Sequence, residues 1–200
     1  MIKIGLTGPT GAGKSTVAAY LAAHGFPTVN ADAAAREVTA VGSPTLSLLA
    51  DAFGRDILLP DGSLDRKALA ARAFADTAAT ARLNAITHPA IIAVMNEKTA
   101  ALQAAGTTAV IIDAPLLFEA GIDKTCDHTV AVIAPDDLRC QRIMARDGIT
   151  ADAAKLRMQA QPPVAFYKDR AEWIVENNGD HAALLQQAQA LCEQIGRWCT

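Results

Sequence analysis

The 200-residue sequence is poor in aromatic side chains, which make up 4% of it, and it has no excess of positive charge. A formal net charge of −3 at pH 7 argues against a nucleic-acid-binding protein with a broad basic surface, so we expect any cationic site to be local. Because aromatic residues are few and alanine is abundant, helices that pack on small side chains are expected to carry much of the mass. A hydrophobic content of 51% with 20% charged residues predicts a globular chain with one sizeable core.

Cysteine and long apolar runs are also scarce. The four cysteines show neither C-x-x-C spacing nor histidines at metal-ligand distance, which predicts free thiols at Cys126, Cys140, Cys192 and Cys199. No apolar run approaches the ~18 residues needed to cross a bilayer, and the first predicted strand follows Met1 too closely for a secretory signal. We therefore expect a cytoplasmic protein with no membrane segment.

The most informative motif is the run G-P-T-G-A-G-K-S at residues 8–15, which has the form G-x-x-x-x-G-K-[S/T] and lies between a strand-like and a helix-like segment. Its glycines let the backbone turn its N–H groups towards a polyphosphate. Lys14 is then expected to reach the β- and γ-phosphates, and the Ser15 hydroxyl to bind Mg²⁺. The alternative, a turn that only closes a strand–helix unit, needs no Lys-Ser pair. The motif therefore predicts a nucleoside triphosphate site with Mg²⁺.

Five short apolar or β-branched runs predict strands, and helical patterns separate them. The predicted strands are 2–7, 27–31, 109–113, 129–134 and 173–176. This alternation, with near-continuous apolar runs, predicts an α/β fold with a doubly wound, five-stranded parallel sheet. Ligands bind such sheets beyond the carboxyl ends of the strands, where the loop 8–15, Asp32 and Asp113 would fall.

The predicted second and third strands are separated by more than seventy residues, whereas a simple crossover needs about a dozen. Helix signals at 44–53, at 65–74 with Asp65 as N-cap, and at 76–105 with a break at His88-Pro89 predict a helical subdomain over 33–106. This insert is either ornamental or a wall of a second-substrate pocket. The nucleotide-binding core would then comprise residues 1–32, 107–134 and 162–200.

A second insert is predicted over residues 135–161, where two helices flank a break at Gly148. Arg139, Arg142 and Arg146 lie at i, i+3 and i+7, so their side chains are expected along one helix face. Such a face is often just a solvated surface. Beside a phosphate-binding loop, however, it predicts a mobile lid whose arginines stabilise a transferring phosphoryl group and exclude water.

Three further residues are candidates for chemistry at the same rim. Asp32 is positioned to accept a hydroxyl proton, although it could equally be the N-cap of a helix starting at Ala33. Asp113 ends an apolar strand and is a candidate metal ligand or an ordinary strand-end aspartate. His88, next to a proline, is either a substrate contact or structural.

Taken together, these segments resemble the dephospho-coenzyme A kinase family across essentially the whole chain. The similar segments are 5–18, 31–32 with Arg36, 42–44, 88–89, 113–119, 141–142, 146–147, 157–161 and 177–179. The resemblance implies a P-loop kinase of the nucleoside monophosphate kinase type. The implied reaction transfers the ATP γ-phosphate to the ribose 3′-hydroxyl of dephospho-CoA, the last step of coenzyme A synthesis.

The resemblance and the motifs together assign residues to roles. Asp32, as general base, Lys14 and Arg142 are the expected catalytic residues. Residues expected to bind ATP are Gly11, Ala12, Gly13, Lys14, Ser15, Thr16, Arg139, Arg142, Arg146, Asn177 and Gly179, the last two lining an adenine pocket. Residues expected to bind the acceptor are Asp32, Arg36, His88, Asp113 and Leu116. Ser15 and Asp113 are the expected ligands of Mg²⁺.

The sequence departs from the family pattern at two places. Asn30 stands where the family has an acidic residue, which leaves Asp32 alone as base, and residues 166–169 replace a common Glu-Lys, which leaves Lys168 without an assigned role. One alternative is a nucleoside or nucleoside monophosphate kinase. The other, a GTP-dependent switch, lacks the expected D-x-x-G and N-K-x-D motifs. A monomer is expected, with weak oligomers compatible, and its partners are ATP and dephospho-CoA.

Overall fold

The computed structural model describes residues 1–200 and contains a five-stranded parallel sheet. The strands are β1 (Ile2–Thr7), β2 (Thr28–Asn30), β3 (Ala109–Asp113), β4 (His128–Ile133) and β5 (Trp173–Glu176). Their order in the sheet is β2-β3-β1-β4-β5, and the register pairs Leu6 with both Asp113 and Val130. The five predicted strands are confirmed, with ends shifted by one residue at β2 and β4.

Nine α-helices connect and cover these strands. They are α1 (Lys14–Ala23), α2 (Ala31–Val38), α3 (Pro44–Phe53), α4 (Arg66–Ala73), α5 (Thr77–Ala104), α6 (Asp136–Asp147), α7 (Ala151–Gln159), α8 (Val164–Lys168) and α9 (His181–Trp198). Two short 3-10 helices span Arg55–Ile57 and Ile122–Thr125. No helix combines the length and the apolar character needed to cross a membrane.

The chain divides into two compact units, and the first comprises Met1–Val29 with Leu102–Thr200. On one face of its sheet, Ile4, Leu6 and Val132 pack in a core with side chains of α1 and α9. On the other face, Ala131 and Ile133 pack with Tyr167 of α8. Neighbouring residues of β4 thus point to opposite faces that are both covered by helices, which is the doubly wound architecture predicted from the apolar runs.

The second unit comprises Asn30–Ala101, which begins and ends earlier than the predicted insert 33–106 but overlaps most of it, and it has a core of its own. That core is formed by Leu49, Phe53, Ile57, Leu69 and Ala73. As predicted, α4 begins after Asp65, whose carboxylate accepts hydrogen bonds from the backbone N–H groups of residues 67 and 68. Residues 135–161, the predicted lid, fall in the first unit, and their movement stays a prediction.

The predicted helix break at His88-Pro89 is wrong, because α5 continues through Pro89 for a total of 28 residues. A proline inside a helix removes the hydrogen bond to the carbonyl four residues earlier, here that of Ala85. Ala85 and Pro89 are both exposed, so water can hydrate the freed carbonyl. The strong helix formers on either side then carry the helix through the interruption.

Candidate active site

The phosphate-binding loop joins the carboxyl end of β1 to the start of α1, and its glycines are required by close contacts. Gly8 has φ of 144°, and a Cβ there would lie 2.1 Å from the Val132 carbonyl oxygen. Gly13 has φ of 99°, and its Cβ would lie 2.4 Å from Nδ2 of Asn177. A side chain at either position would clash with these atoms, so glycine is required for the loop to lie this close to Val132 and Asn177.

The amino end of α1 offers an anion-binding site. Gly13 is the N-cap residue, so no side chain caps the helix, and its first turn contains no acidic residue. The N–H groups of Thr16 and Val17 bind the Gly13 carbonyl, at 3.0 and 3.3 Å, which leaves those of Lys14 and Ser15 at the helix start. Unpaired N–H groups and the positive end of the helix dipole favour a phosphate at this place.

Three successive carbonyl groups of the loop accept hydrogen bonds from side chains outside it. The Thr10 carbonyl accepts from Nε of Arg139 at 2.9 Å, and the Gly11 carbonyl accepts a long bond of 3.4 Å from Nη1 of Arg142. The Ala12 carbonyl accepts from Nδ2 of Asn177 at 2.8 Å. Because the oxygens of these peptide groups are held by the surroundings, the loop keeps one backbone conformation.

Lys14 and Asp113 meet at the centre of this region in an ion pair. Asp113 is the last residue of β3, beside Leu6 in the register, and its side chain is only 7% exposed. The Lys14 side chain is 17% exposed. The pair brings the predicted phosphate-binding lysine and the predicted metal ligand to the same point of the sheet edge.

The prediction that Arg139, Arg142 and Arg146 point the same way is wrong. Arg139 is 2% exposed and binds Thr10, while Nη2 of Arg142 donates to Oδ1 of Asn177 at 3.1 Å. Arg146 is exposed and instead pairs with its neighbour Asp147 at 2.7 Å. The shared helix face fixes where the three side chains start, but their different partners, distant in sequence for Arg139 and Arg142 and adjacent for Arg146, determine where each guanidinium lies.

Asp147 is a second site of charge pairing on the segment 135–161. Its carboxylate binds Arg146 and also forms an ion pair with Arg157 of α7. The hydrogen bond from Arg146, more than the charge of the two guanidiniums, lowers the pKa of Asp147 to about 2. The pairing ties the end of α6 to α7.

The predicted N-cap role of Asp32 is also wrong. Helix α2 begins at Ala31, two residues earlier than predicted, because Oδ1 of Asn30 accepts a hydrogen bond of 2.8 Å from the Ala33 N–H. Asn30 is thus the N-cap of α2, a role for which asparagine and aspartate are equally suited. Asp32 lies exposed in the first turn of α2 and does not cap the helix.

The remaining predicted site residues are placed as follows. Arg36 of α2 is exposed, and His88 of α5 is half-buried, both within the second unit. Leu116, after β3, is 57% exposed. Asn177 is buried and its side chain is used by the loop and by Arg142, whereas Gly179 lies on the surface, so an adenine contact stays a prediction.

One residue of this region was missed by the sequence analysis. Oε1 of Gln161 accepts a hydrogen bond of 2.8 Å from the Thr10 N–H, across 151 positions of sequence. No local pattern distinguishes Gln161 from the neighbouring Gln159, and only its occurrence in a segment similar to the family singled out either.

The parallel sheet, the glycine-rich loop at the carboxyl end of its central strand β1 and the uncapped helix α1 behind that loop define a P-loop nucleotide-binding protein. A family model described as dephospho-CoA kinase matches residues 2–183. Dephospho-CoA kinase of Anaeromyxobacter dehalogenans is 48% identical over 192 residues, 96% of this chain and 91% of the relative. That of Corynebacterium efficiens is 44% identical over 98% of both chains.

A solved structure agrees with these matches. Dephospho-CoA kinase from Campylobacter jejuni superposes with a TM-score of 0.73 at 26% identity, covering 99% of this chain and 98% of that one. The chain belongs to the dephospho-CoA kinase family. The family resemblance and the fold class predicted from the sequence are thereby confirmed.

Proposed function

We propose that this protein transfers the γ-phosphate of ATP to the ribose 3′-hydroxyl of dephospho-CoA, giving CoA and ADP in the last step of coenzyme A biosynthesis. The observation that carries the proposal is the family match over residues 2–183. That match extends through the whole second unit and is not confined to the loop that all P-loop proteins share. It therefore bears on the acceptor as well as on the donor.

The donor half of the reaction rests on the first unit. The N–H groups at the start of α1 and the Lys14 ammonium would bind the β- and γ-phosphates and stabilise the charge that develops on them. Arg142 lies beside the same loop, with its guanidinium oriented by Asn177. We assign Arg142 to the γ-phosphate for this reason, because a pre-oriented cation needs no reorganisation during transfer.

The acceptor half rests on Asp32. The acceptor's 3′-oxygen forms a bond to the γ-phosphorus, and the bond from that phosphorus to the oxygen shared with the β-phosphate breaks. The proton of the 3′-hydroxyl passes to the Asp32 carboxylate. Since Asn30 does the capping of α2, the Asp32 carboxylate is available for this role. Arg36, His88 and Leu116 are proposed to contact dephospho-CoA.

The residues present fit a magnesium ion. The exposed Ser15 hydroxyl and the Asp113 carboxylate are hard oxygen ligands of the kind that Mg²⁺ prefers, and Asp113 already lies at the loop through its pair with Lys14. When bound, Mg²⁺ would neutralise charge on the β- and γ-phosphates. The lid function of residues 135–161, a monomeric state and a cytoplasmic location complete the proposal.

An acceptor panel tests the function. Purified protein with Mg-ATP is assayed against dephospho-CoA, adenosine, AMP and shikimate, with product mass confirming a 3′-phosphate. We expect kcat/KM for dephospho-CoA to exceed that for every other acceptor by at least about 10²-fold, as expected where a site hydrogen-bonds its substrate. Equal rates with a nucleoside or nucleotide would overturn the proposal, and tighter binding of GTP than ATP would favour a switch protein.

The Asp32 assignment has its own test. Asp32→Asn is expected to lower kcat by about 10²- to 10⁴-fold, the usual contribution of a general base, with ATP affinity nearly unchanged. Asp51→Asn, at an exposed aspartate of α3 in the same unit, is the matched control and should retain full activity. Near-normal turnover of Asp32→Asn would remove Asp32 from the mechanism.

A further inference from the structure

Both backbone polar groups of Thr10, in the middle of the phosphate-binding loop, are held by side chains from the segment 135–161. The Thr10 N–H donates to Oε1 of Gln161 at 2.8 Å, and the Thr10 carbonyl accepts from Nε of Arg139 at 2.9 Å. Arg139 lies in the first turn of α6, and Gln161 lies two residues beyond the end of α7. The two ends of the segment thus meet at one residue of the loop.

The Thr10 carbonyl matters because of the peptide group to which it belongs. In a trans peptide the N–H points opposite to the C=O, and the chain has no cis peptide bond. A Thr10 carbonyl fixed on Arg139 therefore turns the Gly11 N–H away from α6. In the same way, a Thr10 N–H fixed on Gln161 sets the preceding peptide group, whose Pro9 carbonyl accepts from the Ala12 N–H at 3.1 Å.

Arg139 would be an unfavourable residue at its position if its only role were to stabilise the fold. Its side chain is 3% exposed, its one ion-pair partner, Asp136, is a 74% exposed side chain, and its buried Nη2 has no hydrogen-bond partner. A buried guanidinium with an unsatisfied donor is destabilising compared with an apolar side chain of similar volume. A role for Arg139 in orienting the loop accounts for a charge at this position.

The loop and α6 are also too close to tolerate adjustment. A Cβ on Gly11 would lie 2.8 Å from the Arg139 carbonyl oxygen, so the backbone of α6 touches the loop where Arg139 binds it. The Gly11 backbone therefore has little room to shift towards α6. The hydrogen bonds at Thr10 are for this reason directional constraints on the loop and not surface contacts.

We propose that Gln161 and Arg139 are positioning residues for the phosphate donor, which together fix the two peptide groups around Thr10 so that the Gly11 N–H is presented to the phosphates of ATP. Neither side chain needs to touch the nucleotide. The proposal replaces the direct ATP contact expected of Arg139 from the sequence. It rests on the proposed function for its kinetic readout but not for its binding readout.

The test uses Gln161→Met, Arg139→Met and the double variant, with Gln159→Met as matched control because Gln159 is an exposed glutamine near the same end of α7. ATP and ADP affinities are measured by calorimetry without acceptor, followed by KM for each substrate and the melting temperature. Losing one hydrogen bond to the loop should weaken ATP binding by about 3- to 10-fold in each single variant, with KM for dephospho-CoA unchanged.

Two further signatures separate positioning from a purely structural role. Arg139→Met should bind ATP more weakly with little net change in melting temperature, because removing the unsatisfied buried Nη2 offsets the loss of the hydrogen bond to the Thr10 carbonyl. The double variant should lose less affinity than the product of the single losses, since both side chains act on the same residue.

Unchanged ATP affinity in Gln161→Met, or an equal loss in Gln159→Met, would overturn the proposal, as would independent effects in the double variant. If Arg139→Met does not fold, the comparison of Gln161→Met with Gln159→Met decides alone. A wild-type protein that binds ATP but does not phosphorylate dephospho-CoA would contradict the proposed function, and the ATP titrations of the variants would still decide the role of Gln161.

Discussion

Asn177→Leu is the substitution for which the structure gives the sharpest expectation. Asn177 follows β5, is 4% exposed, and uses both ends of its amide. Nδ2 donates to the Ala12 carbonyl of the phosphate-binding loop at 2.8 Å, and Oδ1 accepts from Nη2 of Arg142 at 3.1 Å. Leucine has a similar shape but can replace neither hydrogen bond, so the loop and the arginine lose their common anchor.

The magnitude follows from the two lost bonds. Leaving a buried carbonyl unpaired costs about 1–3 kcal/mol. In a chain of this size each kcal/mol shifts the melting temperature by about 2–4 °C, so we expect Asn177→Leu to melt about 2–12 °C lower. An Arg142 guanidinium that is no longer oriented should lower kcat/KM for ATP by about 10- to 100-fold, the effect of a small misplacement of a charge-stabilising group.

The assay compares melting temperature and steady-state kinetics in Asn177→Leu and in Asn178→Leu. Asn178 is the adjacent control: it is exposed, and its amide contacts only the exposed Glu176 carboxylate at 3.0 Å, so its loss should change stability by no more than about 0.5 kcal/mol. If Asn177→Leu behaves like Asn178→Leu, the amide does not hold the loop. A lower melting temperature with normal kcat/KM for ATP would show that Asn177 does not orient Arg142.

Three further predictions follow from buried or paired groups. Lys14→Met should abolish turnover and also lower the free energy of unfolding by about 1–3 kcal/mol, because it removes the cation that pairs with the buried Asp113 carboxylate. In the double variant with Asp113→Leu part of that stability should return, and additive losses would contradict the pairing. Iodoacetamide at pH 8 should modify the exposed Cys199 before Cys126, whose thiol pKa burial raises to about 11, and peptide mass spectrometry would show a reversed order if this is wrong. The pKa of Asp147 is lowered to about 2 from an unfolded value near 4, so its stabilising effect is present at neutral pH and lost as pH falls from about 4 to about 2. Melting temperatures of wild type and Asp147→Asn should therefore differ at pH 7, approach each other below about pH 4 and meet only near pH 2, and a constant difference would refute this.

The sheet was predictable because its signals are local. Strands β1, β3 and β5 begin and end where predicted. The clearest case is β3, which is buried along its whole length, because a strand covered on both faces reads as a near-continuous apolar run. The phosphate-binding loop was predictable for the same reason, because glycine is the residue that tolerates its backbone geometry. Where prediction failed at element ends, a single competing interaction decided: the Asn30 amide started α2 early, and solvent exposure at Pro89 let α5 continue.

The partners of the long polar side chains were not predictable in this way. Arg139, Arg142 and Arg146 share one helix stripe, yet one binds Thr10, one binds Asn177 and one binds Asp147. The sequence motif does contain part of the answer, because a loop that turns N–H groups towards phosphate must turn carbonyl groups away from it, and these need donors. A need for donors outside the loop was therefore implied by residues 8–15. Their identity depended on which distant segments the sheet brings to that end of β1, and this is why the local helix pattern could not show that Arg139 and Arg142, predicted to contact ATP, hold carbonyl groups of the phosphate-binding loop.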